Sequence, residues 1–217
     1  MLVKDYMTRH PIMIPPTMPA AEAQKIIVEN KLRHLPVVGD GKRPLGLITR
    51  DRLRIPPAEL GSLNVWEITR YLSNLTVKDV MVKERDLVTI GPEATVEEAA
   101  QAMAKDKIGC LPVVEDNVVV GIITETDMLV NLADLLGGYV SGVRVTVRLP
   151  GKVGGYAKII GAISAQGWGM YATGSVPAPK REGYWDIVLK VRDVSAEDVV
   201  SALEQVEACE IVDLRET

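Results

Sequence analysis

Apolar positions along the chain follow two rhythms. Val96, Ala99, Ala100 and Met103 lie three or four residues apart, the spacing of one face of an α-helix, and Ala20, Ala23 and Ile27 repeat it nearer the N-terminus. Thr95 to Glu98 has the Thr-x-x-Glu form of a capping box, which gives the later helix a defined start. Each helix is followed by two short β-branched runs, 37–38 with 45–48 and 113–114 with 118–123. Turns rich in Gly, Asp or Asn ("GDGKRP", "EDN") divide each pair, which predicts two hairpin-like strand pairs. A last helix is expected from near Thr49 in the first case and near Thr124 in the second. The latter should stop at Gly137-Gly138.

Beyond that glycine pair the rhythm changes. Val143, Val145, Val147 and Leu149 alternate with Arg144, Thr146 and Arg148, the pattern of a half-buried strand. After "PGKVGG", a helix over about 155–166 carries Ile159, Ile160 and Ile163, with Gly167 as its stop. Strands at roughly 168–175 and 184–192 follow, joined by the loop "VPAPKREG". Ser195 to Asp198 opens another helix, with Val199, Val200, Leu203 and Val206 apolar, and Cys209 to Leu214 makes a final strand. The order is βαββαβ, the ferredoxin-like layout.

The first part of the chain repeats itself. "VKDYM" (3–7) recurs as "VKDVM" (77–81), "LPVV" (35–38) as "LPVV" (111–114), and "GLIT" (46–49) as "GIIT" (121–124). Three matches in one order at nearly constant spacing mark an internal duplication. A single β-α-β-β-α unit of this size cannot cover both faces of its small sheet, whereas two copies packed sheet to sheet can. Leu-Pro-Val-Val, a hairpin, then Gly-Ile-Ile-Thr-x-x-Asp resembles the CBS motif, and two in tandem resemble a CBS-domain pair (Bateman module). The domains expected are repeat 1 over 1–60, a linker helix over 61–75 with Val65, Ile68 and Leu72 apolar, repeat 2 over 76–136, and a C-terminal domain over 140–217. The fold class is α+β, a CBS pair followed by a ferredoxin-like domain.

The resemblance implies clefts that hold adenosine compounds such as AMP, ATP, S-adenosylmethionine or NAD. Gly121 would let its strand approach a ligand closely. Thr124 stands at a strand-to-helix junction, where a hydroxyl and helix N-terminal amides meet a phosphate. Asp127 offers a carboxylate to both hydroxyls of a ribose; the other reading of Asp127 is a helix-capping or ion-pairing role near the helix start. Leu111, Pro112 and Lys107 complete this candidate site, with the backbone of the Leu-Pro pair expected at its edge. The first repeat departs from the motif: "GLITRDR" keeps Thr49 but has Arg52 where Asp127 stands, and arginine has no acceptor for a diol. Lys31, Arg33 and His34 in "KLRHLP" are available for anionic oxygens, so Arg33, His34, Pro36 and Thr49 form a candidate second cleft; Arg33 and His34 read equally as solvated loop residues.

The C-terminal βαββαβ order, with "VRLPGKVGGYAKII" at its first strand-to-helix turn, resembles an ACT domain. Such domains commonly bind amino acids at the interface of paired sheets. Gly154 matches the family's glycine in that turn, and Gly154 and Gly155 are the expected amino-acid contacts. Gly151 and Val153 stand where the family usually has an acidic residue and a proline. The order of CBS pair then ACT domain resembles the bacterial acetoin-utilisation B proteins.

Composition narrows the classes. In 217 residues, 25 basic and 29 acidic side chains leave a net charge of −4, so no global basic field exists for nucleic acid or anionic lipid. The longest apolar stretch, Val118 to Ile123, is far short of the ~20 residues of a membrane span, and the N-terminus lacks a signal-peptide core, so a cytoplasmic protein is expected. Two cysteines, Cys110 and Cys209, and two histidines, His10 and His34, disfavour a disulfide framework and a zinc site. No P-loop, dinucleotide turn or Ser/His/Asp arrangement is evident. Two readings follow. One is a non-enzymatic regulatory homodimer that senses an adenine nucleotide, with an amino acid and a regulated enzyme as further partners. The other is a dimeric scaffold with no small-molecule ligand.

Overall fold

The structure, a computed structural model, describes residues 1–53 and 74–217. The expected linker helix, with Val65, Ile68, Leu72 and the neighbouring Trp66, lies outside these residues apart from its last two positions. Two compact units, Met1–Met128 and Leu129–Thr217, divide the chain.

In the first unit, the first repeat supplies α1 (Val3–Tyr6), β1 (Thr8–Arg9), α2 (Ala20–Glu29), β2 (His34–Val38) and β3 (Pro44–Thr49). Where a helix is expected from near Thr49, a 3₁₀ turn forms at Arg50–Leu53, and residues 54–73 lie outside the described ones. The second repeat supplies α3 (Val77–Val80), β4 (Val82–Lys83), α4 (Val96–Asp106), β5 (Cys110–Glu115), β6 (Val118–Thr124) and the first turn of α5 (Glu125–Leu135), whose residues from Leu129 on fall in the second unit. Both hairpins form, with Leu35 opposite Ile48 and Leu111 opposite Ile123. Thr95 and Glu98 close the predicted capping box, Glu98 N–H donating to the Thr95 hydroxyl at 3.1 Å and Thr95 N–H to the Glu98 carboxylate at 2.7 Å. Of the apolar positions expected on α4, Val96, Ala99 and Met103 are buried while Ala100 faces solvent.

The repeats exchange their opening segments. β1 pairs with β6 of the second repeat, and β4 pairs with β3 of the first, giving sheets ordered β1-β6-β5 and β2-β3-β4. Val3, fully buried, packs among Ala99, Met103, Leu111 and Ile123, while Val77, also fully buried, packs among Ala23, Ile27, Leu35 and Ile48. The backbone repeats the exchange: Val3 N–H donates to Ala94 O and Lys4 N–H to Pro92 O, as Val77 N–H donates to Met18 O and Lys78 N–H to Pro16 O. Each buried valine contributes about 2 kcal/mol, so the exchange fastens each repeat to the other. The sheets meet at Leu47, Cys110 and Ile122.

The glycines of the repeated "GLIT" and "GIIT" segments serve this exchange. A Cβ on Gly46 would lie 2.3 Å from the carbonyl oxygen of Val82, and one on Gly121 would lie 2.4 Å from Met7 Sδ and 3.1 Å from Thr8 O. The close approach expected at Gly121 is therefore made by the incoming strand rather than by a ligand.

α5 ends at Leu135, just before the glycine pair, and Gly137 adopts a left-handed φ of +69°. In the second unit come β7 (Val143–Pro150), α6 (Gly155–Ala165), β8 (Met170–Pro177), β9 (Tyr184–Val191), α7 (Ala196–Glu204) and β10 (Glu210–Glu216). The sheet is antiparallel in the order β10-β7-β9-β8, and the βαββαβ succession is the ferredoxin-like layout. Val143, Val145, Val147, Ile187, Leu189 and Val191 pack from one sheet face against Ile159, Ile163, Val199 and Leu203 of the helices. The alternate residues form an ionic face: Arg148 bridges Asp186 with hydrogen bonds of 2.7 and 2.9 Å and holds its carboxyl below the usual carboxylate range. Arg144 pairs with Asp213 at 2.8 Å, and Lys190 donates to the Thr217 hydroxyl. Cys110 is buried, Cys209 is half-buried, and both are free thiols.

Candidate ligand clefts

Two clefts lie within the first unit, related by the duplication. The first, about 580 Å³, is built around Thr49 at the end of β3 and includes Arg50, Asp51 and Arg52 of the 3₁₀ turn, Asp86, and Lys107, Gly109 and Cys110 of the other repeat. The second, about 340 Å³, is built around Thr124 at the end of β6 with Thr126, Thr8 and His10 of the exchanged strand, and Lys31 of the other repeat. Arg33 and His34 line both. Lys31 and Lys107 hold matching places, each in a left-handed conformation just past its repeat's helix (φ +53° and +54°).

The loop of each repeat thus faces the strand-to-helix junction of the other. Lys107, expected beside Thr124, stands in the Thr49 cleft, and Arg33 and His34, expected with Thr49, reach Thr124 as well. The strand exchange and sheet-to-sheet packing impose this crossing, which the local motif does not carry. Leu111, Pro112 and Pro36 are strand interior and line neither cleft; Pro36 O and Pro112 O accept from the N–H groups of Ile14 and Ile90. Thr8, His10 and Thr126 were absent from the motif-based set. Thr126 had a local signal, lying between two motif residues, whereas Thr8 and His10 enter only through the exchange.

Asp127 is half-buried and caps α5. Its Oδ2 accepts from Thr124 N–H at 2.7 Å and from the Thr124 hydroxyl at 2.8 Å, while Asp127 N–H points back to that hydroxyl at 3.4 Å. This is the capping role that a Thr-x-x-Asp start provides. Among the described residues, Asp127's side-chain hydrogen bonds fall on Oδ2. In the first repeat the corresponding link is only a weak one, Arg52 N–H to the Thr49 hydroxyl at 3.4 Å.

Burial and charge set the titrating groups between the clefts. Burial, aided by the Arg33 charge, pushes His34 below its ordinary value of 6.5, against the pull of Glu125 and Asp51. Burial, with Glu125 adding to it, pushes the Cys110 thiol up to about 12. At neutral pH the imidazole is neutral and the thiol protonated, so the cationic groups beside Thr124 are Lys31 and Arg33. The Arg33 Nη2 donates to the Thr126 hydroxyl at 2.6 Å. Such an arrangement, hydroxyls at a helix N-terminus with flexible cations beside them, suits an anionic group.

A separate cavity of about 270 Å³ lies in the second unit, at the turn from β7 to α6. Pro150, Gly151, Lys152, Gly155, Tyr156 and Trp185 line it. Gly155, one of the expected amino-acid contacts, is in its wall. Gly154 is the N-cap residue of α6, with φ +84°, and is outside the lining.

A duplicated, strand-exchanged module with two pseudo-symmetric clefts is the class that fold and site define. The CBS-domain family matches residues 3–55 and 77–134, just over half of the chain, and the chain belongs to it. The match stops short of the second unit's sheet. Among curated relatives, an uncharacterised protein of Methanocaldococcus jannaschii, MJ1225, is 33% identical over 135 residues, 59% of this chain and 46% of that protein. The chain therefore spans less than half the length of that relative. Among solved structures, a Vibrio cholerae protein assigned to acetoin utilization (AcuB) is 31% identical with a TM-score of 0.52, over 64% of this chain and 98% of that one. The CBS domain pair of protein MJ0100, solved in complex with 5′-methylthioadenosine and S-adenosyl-L-methionine, is 28% identical with a TM-score of 0.50, over 64% and 98%. No helix among the described residues is long and apolar enough to cross a membrane.

Proposed function

We propose that this chain is a regulatory, non-catalytic protein of the cytoplasm whose CBS pair binds an adenosine-containing ligand in the Thr124 cleft. The observation that carries this reading is the meeting of Thr124, Thr126, Lys31 and Arg33 in one cleft at the N-terminus of α5. The adenosine ligands of the MJ0100 pair support it from outside. An anionic group of AMP, ATP or NAD, or the carboxylate of S-adenosylmethionine, would take the hydroxyls and cations. Asp127, which holds Thr124 in place through Oδ2 and stands just outside the cleft's lining, would offer Oδ1 to ribose hydroxyls. Binding would favour one arrangement of the repeats by its differential affinity for it.

The second unit fits an ACT-type regulatory domain by element order, with the cavity at the β7–α6 turn as an amino-acid site. A homodimer held by that unit, regulation of a partner enzyme and a place in acetoin utilization complete the reading, the last supported by likeness to AcuB. The test is calorimetry with AMP, ATP, S-adenosylmethionine and NAD. At least one should bind, and Asp127→Ala should weaken it at least tenfold. If none binds at millimolar concentration, the sensing role is lost.

A second reading, a dimeric scaffold without a ligand, is favoured by one observation: Leu129, Leu132 and Leu135 of α5 are 66%, 52% and 50% exposed. It predicts a dimer by light scattering whose partner binding ignores nucleotides and amino acids.

A further inference from the structure

We propose, resting on the ligand reading above, that Arg33 couples the two clefts, so that an anionic ligand in one weakens binding in the other. Among the described residues, Arg33 is one of two that line both cavities. Its Nη2 donates to Thr126, which lines only the Thr124 cleft. Its charge also acts on Cys110, which lines only the Thr49 cleft and whose thiol it draws down against the effect of burial. The other shared residue, His34, is held neutral and so offers an anion no charge.

The two clefts are otherwise provisioned separately. Lys31 lines only the Thr124 cleft, and Lys107, Arg50 and Arg52 line only the Thr49 cleft, so each has cations of its own. Arg33 has no such twin: the corresponding residue of the second repeat is Gly109. Two anionic ligands therefore compete for the guanidinium that lines both clefts. A ligand in the Thr124 cleft fixes Arg33 beside Thr126, and a ligand in the Thr49 cleft draws it away. By linkage each ligand weakens the other by the same factor. One charge-assisted hydrogen bond at stake corresponds to about tenfold in affinity.

Calorimetric titration with ATP tests this. Lys31→Glu closes the Thr124 cleft to an anion, and Lys107→Glu combined with Arg50→Glu and Arg52→Glu closes the Thr49 cleft, each leaving the other open. All the replaced side chains are exposed, so the substitutions spare the core. In the wild type the second ATP should bind about tenfold more weakly than the single-cleft variants foretell. In an Arg33→Ala background the same three titrations should agree, with the clefts filling independently. Independent filling in the wild type, or an equal antagonism after Arg33→Ala, overturns the coupling and leaves the ligand reading standing. Absence of ATP binding in every protein removes ATP as the ligand and the coupling with it, whereas S-adenosylmethionine binding in the same samples would still uphold the parent reading.

Discussion

The two repeats of the first unit share a scaffold and differ in what they present at the clefts. Both bury the valine of their Val-Lys-Asp segment in the other repeat, and both need a glycine where the exchanged strand passes. Where strand meets helix they part. The second repeat runs from Thr124 into an α-helix capped by Asp127, and the first runs from Thr49 into a 3₁₀ turn with Arg52 in the capping position. Before the first hairpin strand, Arg33-His34 in one repeat answers Gly109-Cys110 in the other. Positions that hold the repeats together are thus matched, whereas of those that face a ligand the threonine and lysine are matched and the residues around them are not. The shared scaffold makes two clefts, while unshared side chains make them chemically unequal.

The matched part of the comparison gives the largest expected effect. Gly46→Ala drives a Cβ against the Val82 backbone, which cannot swing aside, and should cost about 3 kcal/mol. Gly121→Ala first meets the flexible end of Met7 and should cost about 1 kcal/mol less. Urea midpoints of the two variants check the order. A larger loss at Gly121 would mean that the two exchanges are not fastened as described.

The unmatched part predicts a smaller contrast. Asp127→Ala removes the acceptor of the Thr124 N–H and hydroxyl and should cost about 1 kcal/mol. Arg52→Ala keeps the weak backbone link from its N–H to the Thr49 hydroxyl and should stay within about 0.5 kcal/mol of the wild type. Equal losses in thermal unfolding would show that the two junctions are stabilised alike.

The smallest effect concerns His34. Its folded pKa lies below the ordinary 6.5, so the unfolded chain takes up the proton more readily. The stability this group contributes is complete above 6.5 and is lost as pH falls through the depressed folded value. His34→Cys, which installs the second repeat's residue, should flatten the melting temperature against pH in that window, since a thiol does not ionise there. An unchanged slope would assign the pH dependence to other groups.

Much of the fold was legible because it rests on local rules. Alternation at Val143 to Leu149 gave a buried face, Thr95 and Glu98 wrote a helix start, and the turns between β-branched runs gave hairpins. The exchange was not legible, because β1 and β4 are two residues long and their partners are chosen by tertiary packing. The site suffered from the same cause. Thr124 and Asp127 could be named from the motif, but Lys107 was placed in the wrong company, and the Arg33–Thr126 contact joins residues that no local spacing relates. The Thr-x-x-Asp string also spells a helix cap and a ribose contact with the same letters, and the structure fills the first of these roles.

The most direct test is to see where an adenosine ligand sits. A crystal structure of the full chain grown with millimolar S-adenosylmethionine should show it beside Thr124 and Lys31, with a ribose hydroxyl on Oδ1 of Asp127. Ligand density in the Thr49 cleft alone, or at the turn between β7 and α6 alone, would contradict the account.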